Sequence, residues 1–340
     1  MRKSTTVTTL VAGAVACTAL AGTAPSAYSF GTLDGKFGQR AEHERITRAA
    51  LACPAGQRSD NHCFEPDSLS ELAGAHGKGG AIGAPDLGRE VLRQEAHCDN
   101  ADYLAQNGYP QSRGDASKNL LGCVEHARER MGNAVTEAGR LLNGKGAIES
   151  KQVSLAVRCV FNQSRGRAKC DVIEQFGRGL HAVQDFYSHS NWADTASSAP
   201  VGVTNPPGLG HTEPSPLFRL FAGSRPTPAD IPAKLTTGCF DEAAAGSGEK
   251  LGCSGGKRIR HHALNKDLGL IDPSNGHTSD PTTDRGRIDK NFSRAVALAI
   301  TDTRRQWRDL VNALEQRYPN GKGTRMACAV THDHPTKDCR

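Results

Sequence analysis

The sequence predicts an all-α protein whose long loops are closed by disulfide bonds. Several segments place apolar residues at steps of three and four, the spacing of an amphipathic helix, and none is a credible strand of alternating apolar and polar residues. Hydrophobic residues make up 37% of the chain and aromatic residues only 5%, beside 37 glycines and 17 prolines. This composition is typical of a modest core with long loops.

The first 29 residues are predicted to be a secretory signal peptide. Arg2 and Lys3 precede an apolar run, Val7 to Leu20, that is too short and too rich in Ala, Gly and Thr for a transmembrane anchor. Both Ala19-Leu20-Ala21 and Ala27-Tyr28-Ser29 satisfy the small-x-small cleavage rule, and cleavage after the second leaves Phe30 as the N-terminus. No later stretch approaches membrane length, so we expect a secreted, extracellular protein without a transmembrane segment.

The cysteines support export. Ten remain when Cys17 is removed with the signal peptide, and an even set in an oxidising compartment predicts disulfides. Sequence alone does not fix their connectivity, although pairing in chain order needs no crossings. Because none has the CxxC spacing, a cysteine-ligated metal or a thioredoxin-like site is disfavoured. In order, the neighbouring cysteines are 53 and 63, 98 and 123, 159 and 170, 239 and 253, and 328 and 339.

Five helices follow from the apolar periodicity. They are predicted at Glu42 to Leu51, at Leu87 to Ala96, from an N-cap at Asp115 to about Leu142, from Val172 to about Trp192, and from about Ile288 to Tyr318. Residues 199–232, rich in proline, are predicted to be an irregular loop.

We expect Trp307 in the core, Trp192 packed rather than lining a pocket, His126 at the surface or structural, and His332 and His334 solvated.

The fourth predicted helix carries a chemical motif, His181-Ala-Val-Gln-Asp185-Phe-Tyr-Ser-His189. Its three polar residues stand at i, i+4 and i+8, on successive turns of one helix face. Imidazole and carboxylate groups are ligands for zinc and similar ions, and four-residue spacing lets two of them reach one ion. The alternative interpretation is a solvated polar stripe in which Asp185 and His189 are hydrogen-bonded to each other.

Further histidines favour the metal site. His43 stands in the first helix, Asp86 and His97 bracket the second, and the adjacent His261 and His262 precede Asp267. Four separate His/Asp groupings, each at or near a predicted helix end, are harder to explain as isolated structural histidines. The chain from residue 30 to residue 340 is therefore predicted to be a single helical metal-binding domain.

These residues, in this order, resemble the zinc-dependent phospholipase C superfamily, whose fold is shared by fungal single-strand nucleases. The chain looks closest to the Het-C-like, or CinY-like, branch. The block His181 to Trp192 is the specific part of the resemblance. His43-x-x-Ile46-Thr-Arg-Ala49, Asp86 with His97 and Asp99, and Leu264-Asn-Lys-Asp267 carry the rest.

The resemblance implies a multi-helix phospholipase C/nuclease-like fold with two or three zinc ions. Asp86, His97, His181 and Asp185 would enclose one ion. His43 and the free amine and carbonyl of Phe30 would hold a second, with Asp185 bridging the two. The third would be held by His189, Asp267 and one of His261 and His262. Here the chain departs from the phospholipase pattern, because His189 follows Asp185 by a shorter step and the last pair is His and Asp rather than His and Glu.

A zinc cluster of this kind predicts phosphoester hydrolysis, since the ions neutralise phosphate charge and activate water. Asp86 is our candidate general base, and Asp99, Asn191 and Asp194 are candidates to orient the imidazoles. The expected substrate is a phosphoester, with phospholipid at a membrane surface first. A net charge of +6 mildly favours an anionic partner.

Two other functions compete with lipid hydrolysis. A nuclease needs aromatic stacking surfaces, and the chain has only 10 Phe, 5 Tyr and 2 Trp, so nucleic acid is the less favoured substrate. A non-catalytic zinc-binding or interaction protein is the other alternative, because resemblance to enzymes does not establish activity.

Overall fold

The structure is a computed structural model that describes residues 30–35, 39–240, 253 and 256–339. The predicted signal peptide, residues 1–29, with both of its cleavage sites, lies outside the described residues. Across the described ranges, no helix is both long enough and apolar enough to cross a membrane.

Helices dominate the described residues, and strand content is low, as predicted. The only strands there are two short antiparallel pairs, β1 (Gly74–Ala75) with β2 (Lys78–Gly79), and β3 (Leu270–Ile271) with β4 (Thr278–Ser279). The α-helices are α1 (Glu42–Leu51), α2 (Pro66–Ala73), α3 (Ala84–Leu87), α4 (Gln94–His97), α5 (Arg113–Ala138), α6 (Ser150–Val153), α7 (Ala168–His189), α8 (Asp284–Arg287), α9 (Asn291–Arg317), α10 (Lys322–Thr331) and α11 (Pro335–Asp338).

Helix α7 is the centre of the molecule. Both long helices, α5 and α9, pack against it, and every residue of α7 except Gln175 is buried. Its motif residues His181, Asp185 and His189 are therefore 0–1% exposed. The solvated-stripe interpretation is wrong, because these polar groups lie inside the protein, where each must be compensated by partners.

The predicted helix from Leu87 to Ala96 is wrong. Two short helices, α3 and α4, stand in its place, separated by Gly88 in an extended conformation and by a turn through residues 89–93. Glu90 explains the turn: its side chain is fully buried and ion-paired with the guanidinium groups of Arg130 and Arg178. These long-range ion pairs override the local helical spacing.

Other helix ends differ from the predictions by a few residues. The N-cap of α5 is Ser112, whose hydroxyl accepts a hydrogen bond from the amide of Asp115, the residue that was predicted as the cap. The C-terminal end of α5 continues as a 3₁₀ turn, Gly139–Leu141, which nearly reaches the end predicted at about Leu142. Helix α7 stops at His189 rather than Trp192, because Ser190 is extended. Helices α2 and α10 were not predicted.

Disulfides close five loops, and they join the cysteines in chain order. The pairs are Cys53–Cys63, Cys98–Cys123, Cys159–Cys170, Cys239–Cys253 and Cys328–Cys339. The last of these holds the C-terminal segment against α10. His332 is consequently buried, not solvated as expected, and His334 remains exposed.

The remaining aromatic predictions agree with the structure. Trp307 is buried in contact with the rings of Phe64 and Phe176, and Trp192 is buried beside Phe186. His126 is a buried residue near Glu90. Between residues 199 and 232 the chain is irregular apart from two 3₁₀ turns, Pro216–Phe218 and Pro228–Asp230.

Candidate metal centre

Four of the predicted ligands converge beside the middle of α7. His181 Nε2 lies 3.0 Å from Asp185 Oδ2 and 3.4 Å from Asp86 Oδ1. His97 Nδ1 lies 3.1 Å from Asp185 Oδ2 and 3.7 Å from Asp86 Oδ1. Asp86, His97 and His181 each offer a donor atom within 4.8 Å of the others, a spacing that one metal ion can span.

Asp185 faces two sets of histidines with its two oxygens. Its Oδ2 faces His97 and His181, and its Oδ1 lies 3.1 Å from His43 Nε2. Helix α1 places His43 there, and His43, His181 and Asp185 form a second group within reach of one ion. This arrangement is the one required of a carboxylate that bridges two ions.

The outward-facing ring nitrogens of these histidines are already occupied. His181 Nδ1 donates to the carbonyl of Ile82 at 2.9 Å, and His97 Nε2 donates to the carbonyl of Glu90 at 3.1 Å. His43 Nδ1 lies 2.8 Å from Gln184 Oε1, which must accept because the amide nitrogen of Gln184 donates to two threonines. Metal-binding histidines typically have such outer partners, which fix the tautomer.

If the imidazoles are neutral, their inward nitrogens consequently face one another with lone pairs. His181 Nε2 and His97 Nδ1 are only 3.0 Å apart, although both rings already donate on their outer side. Such a contact requires a shared proton or a cation between the two nitrogens. Among the ligand types that proteins use, a buried set of imidazoles and carboxylates without thiolates suits divalent zinc or a similar transition metal.

Charge balance in this group is consistent with a cation site. Burial disfavours protonation of His181, but the carboxylates of Asp185 and Asp86 outweigh it and raise the pKa of His181 to about 10. Burial likewise disfavours ionisation of Asp185, yet His181, His189 and His43 hold its pKa well below the usual range. The carboxylates therefore remain negatively charged. Either protons on the histidines or a divalent cation can balance that charge.

A glycine of α7 permits the contact that orients His181. At Gly177 a β-carbon would come within 2.6 Å of the Ala81 side chain and 2.8 Å of the Ile82 amide. The 3₁₀ turn Ala81–Gly83 therefore lies directly on the helix, where the carbonyl of Ile82 can accept from His181.

We expect the substitution Gly177→Ala to push this turn away and to weaken metal binding. The overlap should lower the free energy of unfolding by about 1–3 kcal/mol, and loss of the outer partner of His181 should lower metal affinity about tenfold or more. Zinc titration and urea denaturation measure the two effects.

A matched control is Gly132→Ala in the exposed middle of α5, where nothing lies within 4 Å of the added carbon. It should raise stability by about 1 kcal/mol and leave metal affinity unchanged. Equal metal affinity in the Gly177→Ala and native chains would contradict the role given to Ile82.

A second polar group lies at the C-terminal end of α7. His189 Nδ1 and His261 Nδ1 lie 3.3 Å and 3.1 Å from Asp99 Oδ1, and their Nε2 atoms lie 3.3 Å and 3.4 Å from Asp267. Asp99, His189 and His261 offer donor atoms within 4.8 Å of one another. All four residues are at least 95% buried, so this group too is enclosed by the protein.

One nitrogen in this second group has no hydrogen bond. His189 Nδ1 lies 3.0 Å from the carbonyl of His97, which leaves Nε2 as the inward atom. Among the described residues, His189 Nε2 is one of the few buried polar side-chain atoms without a hydrogen-bond partner. A buried imidazole nitrogen that makes no hydrogen bond and lies 3.3 Å from a carboxylate oxygen of Asp267 is suited to a cation.

The structure distinguishes the adjacent His261 and His262, between which the sequence could not choose the candidate ligand. His261 begins a 3₁₀ turn, Ala263 ends it, and the turn directs His261 into the second group while His262 is exposed. His262 therefore lies outside both groups. Asp267, predicted as the carboxylate of this site, lies inside it and also accepts from the hydroxyl of Ser188.

Sequence reasoning assigned some outer contacts wrongly. Asp99 contacts the Nδ1 atoms of His189 and His261, as predicted for a residue that orients their imidazoles, and it also lies close enough to be a candidate ligand. Asn191 bonds to Thr236 and to loop carbonyls, and Asp194 pairs with Lys266 and Arg285; in the hydrogen bonds and ion pairs of the described residues, neither contacts an imidazole of either group. The outer partners are instead Gln184 and the carbonyls of Ile82 and Glu90, and backbone carbonyls leave no sequence signal.

Phe30 lies beside the first group. Its side chain is fully buried, and its ring packs edge-on against His43 with centroids 5.8 Å apart. Coordination by its amine and carbonyl stays a prediction.

A pocket of about 480 Å³ lies near Glu44 and Arg48, away from the metal groups. A second pocket, of about 340 Å³, reaches the metal groups. His97 and Asp99 line this pocket, together with Arg93 and Phe240. Because His97 belongs to the first group and Asp99 to the second, a molecule in this pocket would approach both.

A third cluster that resembles a metal site is not one. Cys328, His332 and Cys339 lie close together, but the two cysteines form a disulfide and therefore offer no thiolate ligand.

The fold and these groups define a mainly helical, disulfide-closed chain with buried histidine–carboxylate clusters that could hold metal ions. The chain matches no known protein family, no curated protein and no solved structure at a significant level.

Proposed function

We propose that the chain is a secreted, zinc-dependent phosphodiesterase of the phospholipase C type, with two or three zinc ions in the two groups. In this proposal its helices adopt the phospholipase C/nuclease-like arrangement. The observation that carries the proposal is the placement of Asp185, whose two oxygens face His43 on one side and His97 and His181 on the other. A bridging carboxylate surrounded by oriented imidazoles is the ligand set of a multinuclear hydrolytic centre.

The protein residues have distinct roles in this proposal. Zinc ions in such a centre supply charge neutralisation for phosphate and lower the pKa of water. Asp86, the predicted general base, is held in place by the Thr32 hydroxyl, which donates to its Oδ2 at 2.5 Å. The pocket beside His97 and Asp99 would admit the phosphoester, and Arg93 in its wall would attract the phosphate.

One observation favours the non-catalytic alternative. His43, His181 and Asp185 are completely buried, and structural metal sites are typically closed in this way. In that case the ions would hold α1 and α7 together, and the pocket would serve binding.

Metal content and turnover separate these functions. Mass spectrometry of the natively secreted protein should find two or three zinc ions per chain, and N-terminal sequencing of the same sample should begin at Phe30. The metal-loaded protein is then assayed on a phosphocholine ester, on single-stranded DNA and on a generic diester. Preference for the phosphocholine ester supports the proposal, and preference for DNA supports a nuclease.

Bound zinc without turnover on any of the three substrates would overturn catalysis and leave the binding role. Less than one tightly bound ion per chain, even after incubation with zinc, would overturn the metal centre itself.

A further inference from the structure

Exposed apolar side chains are concentrated on two segments near the pocket. The described residues include five large hydrophobic side chains that are strongly exposed, and four of them are Leu87 (55%), Leu92 (46%), Val157 (72%) and Val160 (71%). The fifth, Val201, belongs to the irregular region after α7. Leu87 and Leu92 flank the turn between α3 and α4, Val160 lies inside the loop that the Cys159–Cys170 disulfide closes, and Val157 lies just before that loop.

The two segments are neighbours because they share the same arginines. Arg178 pairs with Glu90 in the first segment and donates to the carbonyl of Phe161 in the second at 3.3 Å. Arg130 pairs with Glu90 and donates to Gln163 Oε1 at 3.3 Å. Residues 87–93 and 157–165 therefore lie next to each other, and we call the exposed surface of these two segments the basic-apolar face.

The charges exposed on this face are positive. Arg89, Arg93, Arg158 and Arg165 are all exposed, and Glu90, the only acidic residue in the two segments, is buried. Carboxylates from outside the segments also approach it: Glu71 lies 3.5 Å from Arg158, and Glu95 lies 4.0 Å from Arg93. Glu71 is buried and Glu95 is only partly exposed, so the four exposed arginines leave the outer surface predominantly positive.

We propose that the basic-apolar face docks on an anionic lipid bilayer. Apolar side chains that project beside arginines match the boundary between acyl chains and acidic headgroups. A second copy of the chain fits this face less well, because a symmetric dimer would press four arginines against four arginines. Val91, Leu92 and Arg93 also line the 340 Å³ pocket, so docking would bring that pocket to the bilayer.

This inference deepens the proposed function but can be tested without it. Binding of the full secreted chain to vesicles is measured by co-sedimentation, with no turnover required. Vesicles of phosphatidylcholine and phosphatidylglycerol in equal parts are compared with vesicles of phosphatidylcholine alone. Diester hydrolysis is assayed separately without lipid, so failure of the enzyme and failure of the docking face are distinguishable.

The native chain should bind the anionic vesicles, and added salt should weaken the binding. The double variant Val157→Asp/Val160→Asp should lower the partition coefficient about tenfold or more. Both sites are strongly exposed, and circular dichroism should show the native fold. The control Val201→Asp introduces one negative charge at a comparably exposed valine outside the two segments and should bind as the native chain does. The variant Arg89→Ser/Arg165→Ser tests the electrostatic part, because it should reduce binding without altering the apolar side chains.

Four results would overturn the proposal. The native chain could fail to bind anionic vesicles, or bind both vesicle types equally. Val201→Asp could lose as much vesicle binding as the double-aspartate variant, or the double-aspartate variant could bind as tightly as the native chain. Self-association of the native chain that the double variant abolishes, seen by sedimentation velocity, would assign the face to a second copy instead.

Discussion

The Asp185→Asn chain is expected to lose metal from both sides of the first group. The two oxygens of Asp185 lie within 3.1 Å of nitrogens from three histidines, so a neutral amide removes the charge that holds all of them. It also places an amide N–H group against inward imidazole nitrogens. Because changes in outer partners alone typically lower metal affinity 10- to 100-fold, loss of a bridging ligand should exceed about 100-fold. Competition with a chelator and mass spectrometry after dialysis measure this loss.

Asp302→Asn provides the matched control. Asp302 is as completely buried as Asp185 and is hydrogen-bonded to Tyr187 of the same helix, but it lies on α9 and contacts none of the candidate ligands in the hydrogen bonds and ion pairs of the described residues. It should lower stability and leave the metal content as in the native chain. If both variants lose metal equally, the loss reflects general destabilisation, and Asp185 is not a ligand.

Helix α7 and its polar face could be predicted because both follow from the spacing of residues within one short segment of the chain. One helical period places the apolar positions Ile173, Phe176 and Leu180, and the same period places His181, Asp185 and His189 on a common face. The sequence did not show that this polar face is buried. Burial depends on α5 and α9 enclosing the helix from positions far along the chain.

The parts that the sequence could not predict depend on contacts between distant segments. Glu90 belongs to an apparently helical stretch, but Arg130 and Arg178 bury it and unwind that stretch into a turn. That turn is what points the carbonyl of Glu90 at His97. Likewise, nothing in the pair His261 and His262 tells which ring faces inward, because the 3₁₀ turn that decides it is fixed by tertiary packing.

Removal of the Cys98–Cys123 disulfide should release metal from both groups at once. Cys98 stands between His97 of the first group and Asp99 of the second, and it has a left-handed conformation (φ 56°) at the end of α4. The disulfide ties this bend to α5. In the variant Cys98→Ala/Cys123→Ala the bend loses the tether that helps to hold residue 98 in the left-handed conformation, which alanine disfavours as cysteine does. We expect a loss of stability of about 3 kcal/mol and the loss of bound zinc from both groups.

The double variant Cys53→Ala/Cys63→Ala separates the two effects. Its disulfide closes the loop between α1 and α2, and the chain-entropy cost of losing it is also about 3 kcal/mol. A comparable fall in stability with full zinc content would therefore show that the position of Cys98, and not the stability of the fold, decides metal binding. If both variants lose zinc in proportion to their stability, the disulfide has no special role. The single variant His97→Ala should weaken only the first group, so simultaneous loss from both groups is the specific signature of the shared bend.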